Sequence, residues 1–176
     1  MKALVTSTLL ILLCLPLTAQ NTTFATWDTD GDQVIEREEF TSTFIDNYFP
    51  AWDDDEERGI IEEGFFRSSY AGLDTDSDRM LTAQEWLIGY NYFYKDYVVY
   101  EDIDMVDINE DGYISYDEYY DALYETNYFT DIDLDNDNYI SEYELANHVF
   151  ENWDTNNSGT ISRSEYNQFD WYYLDV

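Results

Sequence analysis

Apolar and aromatic residues fall at helical spacing in several stretches of the chain, separated by short runs of acids and amides. Phe40, Phe44 and Tyr48 stand at i, i+4 and i+8, and Trp86, Tyr90, Tyr94 and Tyr97 share one face of a longer stretch. Tyr119 with Leu123, and Leu145 with Val149 and Trp153, repeat the pattern. Positions three or four apart lie on the same side of a helix, so each set reads as the buried stripe of an amphipathic helix. Pro50 should stop the first helix near Phe49, because proline disfavours helical geometry in the residue before it. Residues 86–103 hold no proline and one glycine, and read as one continuous helix joining two halves of the chain. The expected fold class is all-α, with strand character limited to a residue or two where loops meet.

The polar runs between these helices share a register. Twelve-residue windows start at Asp28, Asp74, Asp107, Asp133 and Asp154 and end at Glu39, Glu85, Glu118, Glu144 and Glu165. Position 3 is Asp30, Asp76, Asn109, Asp135 and Asn156, and position 5 is Asp32, Asp78, Asp111, Asp137 and Ser158. Position 8 is always aliphatic: Ile35, Leu81, Ile114, Ile140 and Ile161. Residues 1, 3 and 5 of a tight turn point inward and a backbone carbonyl at position 7 closes one side. The Glu at 12 returns on a helix with two oxygens, which is the arrangement a hard cation needs. The position-7 carbonyls would be those of Val34, Met80, Tyr113, Tyr139 and Thr160.

A worn window lies between the first two. Asp53, Asp55 and Glu57 stand at 1, 3 and 5 and Ile60 at 8, but Gly64 occupies 12, so this loop should be empty and act as a spacer. The starts at 28, 53 and 74 recur at 107, 133 and 154, an offset of 79 or 80 residues. A unit of three loops has therefore been copied once, giving halves at 20–97 and 98–176. Where two starts are 21 residues apart, the helix leaving one loop must also enter the next, so those loops sit at opposite ends of it. This predicts that the loop at 28 pairs with that at 74, and 107 with 154. The loops at 53 and 133 would be left to each other.

These windows resemble EF-hand calcium loops, and the resemblance covers most of residues 24–173. It implies six helix-loop-helix loops, five of them complete, and about five bound Ca2+ ions, with Mg2+ or a lanthanide as alternatives. The close spacing is similar to that of bacterial periplasmic EF-hand proteins such as lanmodulin. Where that group carries proline at loop position 2, this chain has Thr29, Thr75, Ile108, Leu134 and Thr155. Counting Glu36 at position 9, the loop at 28 has five carboxylates; those at 74 and 133 have four, 107 has three and 154 two. Position 6 needs a left-handed backbone, which Gly112 and Gly159 supply freely and Asn138 tolerates, while Gln33 and Arg79 are strained there by about 1–2 kcal/mol.

Composition narrows the setting. Lys2, the apolar run from Leu9 to Leu17 and the small Ala19 read as a secretory signal cut after residue 19, which places the chain outside the cytoplasm or in the periplasm. That cut removes one lysine, no acid and the only cysteine, Cys14, moving the formal charge from -33 to -34 and leaving no disulfide. So negative a chain has no basis for binding nucleic acid or an anionic membrane, and without its leader it has no spanning segment. The 33 aromatics (10 Phe, 18 Tyr, 5 Trp) can build a core that metal holds together against the charge. No nucleophile elbow, phosphate loop, HExxH or dinucleotide fingerprint points to an enzyme. His148 reads as a surface or boundary residue, and Asn21-Thr22-Thr23 and Asn156-Asn157-Ser158 fit glycosylation sequons. Two functional classes stay open: a metal buffer or metal-folded structural protein, and a calcium-dependent module that docks an unidentified protein through exposed aromatics such as Trp171, Tyr172 and Tyr173.

Overall fold

Helices α1 (Phe24–Trp27), α2 (Arg37–Asn47), α3 (Phe49–Trp52), α4 (Glu62–Leu73), α5 (Ala83–Gly89), α6 (Tyr116–Tyr124), α7 (Tyr128–Ile132), α8 (Glu142–Trp153) and α9 (Arg163–Tyr173) alternate with the acidic loops. Two short strands, β1 (Val34–Glu36) and β2 (Thr160–Ser162), lie inside loops. This computed structural model describes residues 23–52 and 59–173. The expected signal with Lys2, Cys14 and Ala19, the residues Asn21 and Thr22, and Asp53, Asp55 and Glu57 of the worn loop lie outside the described residues. So do the side chains of Trp171, Tyr172 and Tyr173. No helix among the described residues is long and apolar enough to cross a membrane.

The shared helices form as the spacing requires. α4 and α8 are each single helices of 12 residues, and each is C-capped by the first residue of the next loop, Asp74 or Asp154. The longer steps contain a break instead. α2 stops at Asn47 and Pro50 falls in the first turn of α3, where its missing N–H costs nothing. Between the loops at 107 and 133, α6 ends at Tyr124 and α7 begins at Tyr128.

The continuous helix expected over residues 86–103 does not form. α5 gives way to a π-helix at Tyr90–Tyr94, closed by Lys95 N–H donating to the Tyr90 carbonyl at 2.9 Å. The adjacent rings of Phe93 and Tyr94 both bury in this segment. The chain then folds back over Trp86, whose indole N–H donates to the Tyr100 carbonyl at 3.2 Å.

Loop pairing also differs from the expectation in two of three cases. β1 pairs antiparallel with β2, setting Ile35 opposite Ile161, so the loop at 28 pairs with that at 154. Leu81 and Ile114 exchange backbone bonds of 2.9 and 2.8 Å, joining 74 with 107. Ile60 and Ile140 join the worn loop to 133, as expected, through bonds of 2.9 and 2.8 Å. Every one of these contacts crosses between halves. The exchange that carries 28 to 107, 53 to 133 and 74 to 154 maps the outer pairs onto each other and the middle pair onto itself, as it would for pairing within a half, so the choice lies in the helix faces that meet. Pairing within a half would leave the aromatic faces of α2 and α8 without their mates.

Those faces build the core. Around the 28/154 pair, Trp27 stacks on Phe40 and Tyr48 at 4.8 and 5.2 Å and tilts against Trp153 at 5.9 Å. Phe40 meets Phe150 and Trp153 of α8 edge-on at 5.6 and 5.3 Å. Around the 74/107 pair, Tyr94 meets Tyr119 at 5.9 Å and Tyr119 meets Tyr70 at 5.2 Å. Their hydroxyls are satisfied inside: Ser69, Tyr94 and Tyr119 form a chain of 3.1 and 2.8 Å, and Tyr70 donates to the Ile114 carbonyl at 2.9 Å, beside the bridge. Buried aromatic pairs of this kind each add about 0.5–1.5 kcal/mol beyond their area.

Candidate metal centres

Each loop is organised first by its position-1 aspartate. Asp74, Asp107, Asp133 and Asp154 are buried, and Asp28 is half-buried. Asp107 accepts the Asp111 N–H at 3.1 Å and the Gly112 N–H at 2.7 Å, one on each oxygen. Asp74, Asp133 and Asp154 hold positions 5 and 6 of their loops in the same way. Asp28 departs slightly, taking the N–H groups of Gly31 and Gln33 at 2.9 and 3.1 Å. The turn this imposes needs left-handed backbone twice. Position 6 has φ of 80° at Gln33, 73° at Arg79, 70° at Asn138, 89° at Gly112 and 87° at Gly159, as the sequence predicts. Position 4 is left-handed too, at Gly31, Ser77, Glu110, Asn136 and Asn157, which the spacing alone did not reveal. The signal was there in part, since Gly and Asn fill three of those five places.

The position-12 glutamates are held at both oxygens. In four loops the residue at position 9 is Thr82, Ser115, Ser141 or Ser162, and it caps the following helix. Its hydroxyl and N–H both donate to one glutamate oxygen, at 2.7 and 2.9 Å for Ser115 and Glu118. Glu118 N–H returns to that hydroxyl at 3.4 Å, completing a capping box. The other oxygen accepts backbone N–H groups near the start of the loop, Ile108 at 2.9 Å and Asn109 at 3.1 Å. Thr29, Thr75 and Thr155 at position 2 add a hydroxyl to the same oxygen at 2.6, 2.7 and 3.0 Å. Ile108 and Leu134 have no hydroxyl to offer and their side chains stand in solvent. The Ser/Thr-x-x-Glu spacing that announces these caps is present in the sequence at Thr82, Ser115, Ser141 and Ser162.

This setting fixes the glutamates' charge. Burial alone would raise the carboxyls of Glu85, Glu118, Glu144 and Glu165, but the hydrogen bonds from positions 9 and 2 outweigh it and hold all four below the usual carboxylate range. The loop at 28 has Glu36 at position 9 instead, so two carboxyls meet. Hydrogen bonding to Glu39 raises Glu36 to about 7, while Glu39 falls to about 2.

Ligand oxygens converge in three loops: Asp28 with Asp30 and Asp32, Asp74 with Asp76 and Glu85, and Asp133 with Asp135 and Glu144 lie within 4.8 Å of one another. Asp30 also meets Glu36 and Glu39 within that distance. Asp78 and Asp137 stand outside their clusters and accept the N–H of Met80 and Tyr139 at 2.8 and 2.9 Å. Asp32 and Asp111 likewise accept the N–H of Val34 and Tyr113 at 3.0 and 2.9 Å. In the loop at 107, Asn109 accepts the Asp111 N–H at 2.8 Å. In the loop at 154, the Asn156 amide donates to Glu165 at 2.7 Å and the Ser158 hydroxyl turns onto the Thr160 carbonyl at 2.9 Å. The donor set of acids, amides and carbonyls suits a hard divalent cation.

The EF hand family model matches residues 101–123 and 145–170, which contain the loops at 107 and 154 with their flanking helices. These two segments are EF-hands. They indicate calcium binding, and this fold generally binds rather than catalyses. A comparison with curated proteins finds no match. The worn EF-hand loop keeps a structural task. Gly59 at its position 7 has φ of 113°, and a Cβ there would lie 2.7 Å from the Ile140 carbonyl oxygen. Only glycine lets the two backbones approach closely enough for the Ile60–Ile140 bridge. His148 is half-buried on α8, in ring contact with Tyr128 at 5.7 Å and 3.0 Å from the Asn152 amide.

Proposed function

We propose that this chain is a secreted or periplasmic calcium protein that binds about five ions and uses them to hold its fold, acting as a buffer or metal-folded scaffold. The ligands are the position 1, 3, 5 and 12 side chains and position 7 carbonyls of the loops at 28, 74, 107, 133 and 154. The observation that carries this reading is the position-12 glutamate, held ionised at both oxygens in loops that meet pairwise through their position-8 residues. Apolar side chains line the core rather than a groove between paired hands, which favours a closed protein over a sensor that opens. Native mass spectrometry of the mature chain should show about five calcium ions; two or fewer would defeat the ligand assignment. A dye that fluoresces on apolar patches should stay dark or dim further on calcium addition, and strong brightening would favour the interaction module.

A lanthanide-binding role has one observation behind it. The five-carboxylate loop at 28 gathers Asp28, Asp30 and Asp32 on one side and Asp30, Glu36 and Glu39 on the other. More anionic ligands favour a trivalent ion over a divalent one. Competition of terbium against calcium should show that loop as the most selective, whereas highest selectivity at 154 would remove ligand charge as the cause.

A further inference from the structure

A cleft of about 550 Å³ lies away from the clustered carboxylates, between the π-helix segment and a wall made by α8, the loop at 154 and α9. Its volume is within the range of small-molecule sites, about 300–1,000 Å³. The backbone is irregular just where it forms one wall. The π-turn at Tyr90–Tyr94 leaves Asn91 and Tyr92 facing outward while Phe93 and Tyr94 bury, and such bulges are frequent at functional sites.

The chemistry of the lining is selective. Asn91, Asn152, Asn157 and Gln168 bring four primary amides to the one cleft, the Asn91 amide N–H donating to the Leu87 carbonyl at 2.8 Å and the Asn152 amide nitrogen lying 3.0 Å from His148 Nε2. An amide both donates and accepts, as a sugar hydroxyl does and as a carboxylate, phosphate or ammonium does not. Asp96 and Glu151 at the same cleft repel anions, in a chain already at -33. Lys95, the only lysine besides Lys2, is the one base at a cleft that also holds Asp96, Glu151 and Asp154, so a cationic ligand is separated from a neutral one by the dilysine competition below. Tyr92 is 39 % exposed and offers a ring face to the C–H groups of a pyranose. His148, bonded to the Asn152 amide and kept neutral by burial, adds no charge.

We propose that this cleft is a binding site for a neutral polyhydroxyl ligand, a saccharide of one or two rings. Asp154 and Thr155 form part of its wall, so the ligand would rest directly against the last calcium loop. The site stands on its own geometry and does not depend on the metal reading.

The test is a titration of the calcium-loaded full chain with maltose, cellobiose and N,N′-diacetylchitobiose, read by saturation-transfer NMR and repeated in chelator. At least one disaccharide should bind, with Kd rising about tenfold in Tyr92→Ala and in Asn91→Ala. Tyr143→Ala, an exposed aromatic on the outer face of α8 that does not line the cleft, should bind as the parent does. The fold of each variant is checked by near-UV circular dichroism. Absence of binding by all three sugars, equal binding by the cleft variants, or displacement of the sugar by dilysine would overturn the proposal. If sugar binds while calorimetry finds no calcium, the cleft stands and the metal reading falls.

Discussion

Single residues decide how each loop holds its glutamate. Ser141 gives Glu144 a hydroxyl at 2.7 Å and caps α8, so Ser141→Ala should lower stability by about 1 kcal/mol and weaken its own site without touching the others. Thermal melts in chelator and site-resolved terbium luminescence, excited through Tyr139 at position 7, measure the two effects. Glu118→Gln should weaken the loop at 107 far more than Glu165→Gln changes total binding, because the loop at 154 already has the fewest carboxylates. Acid acts at two places in the metal-free protein. The position-12 glutamates, held below their ordinary 4.5, contribute stability above that value and lose it as pH falls through their folded pKa. His148, lowered by burial from 6.5 to about 4, favours the fold above 6.5, and that contribution is lost as pH falls from 6.5 towards 4. His148→Gln should therefore flatten the melting temperature between those two values and leave the steeper fall below 4.5 intact. Equal slopes in parent and variant would refute the assignment.

At the level of elements, the loops were legible from sequence and their partners were not. A twelve-residue window is local, so ligand spacing, the aliphatic at position 8 and the need for φ > 0 at position 6 all survive in the sequence as residue types. The shared helices α4 and α8 follow from spacing alone. Pairing has no such address: position 8 is Ile in five of the six loops and Leu in the other, so no loop names its mate. The choice is made by faces that meet at distance, as when Arg37 lies 4.3 Å over the Phe150 ring and reaches the Asn147 amide oxygen at 3.0 Å. The π-turn after Gly89 has no local signature in the sequence either; what the structure adds there is a long-range contact, since a Cβ on Gly89 would come within 2.7 Å of a Leu73 methyl. The worn loop gives an element-scale prediction. Gly59→Ala must clash with the Ile140 backbone and strain its own, costing about 1–3 kcal/mol or more, and should weaken calcium binding in the loop at 133 through the lost bridge. Wild-type affinity at 133 in this variant would show that the worn loop supports nothing.

For the whole molecule the governing quantity is charge. Five divalent ions would bring the chain from -33 to about -23. Among the described residues only two ion pairs oppose the repulsion, Arg37 with Glu151 and Arg67 with Glu63, both exposed and each worth about 0–1 kcal/mol. Chelation should lower helix content and melting temperature, and added salt should restore part of the loss by screening. Identical melts in calcium and chelator would sink the idea that metal holds the fold. The nested pairing has a further consequence in time. Leu81 and Ile114 are the nearest partners along the chain, Ile60 and Ile140 lie outside them, and Ile35 and Ile161 are the most distant. Closing a short loop costs less entropy than closing a long one, and each inner closure shortens the search for the next. The protein should zip from its middle outward, with amides at Leu81 and Ile114 first to gain protection in pulse-labelled hydrogen exchange and those at Ile35 and Ile161 last.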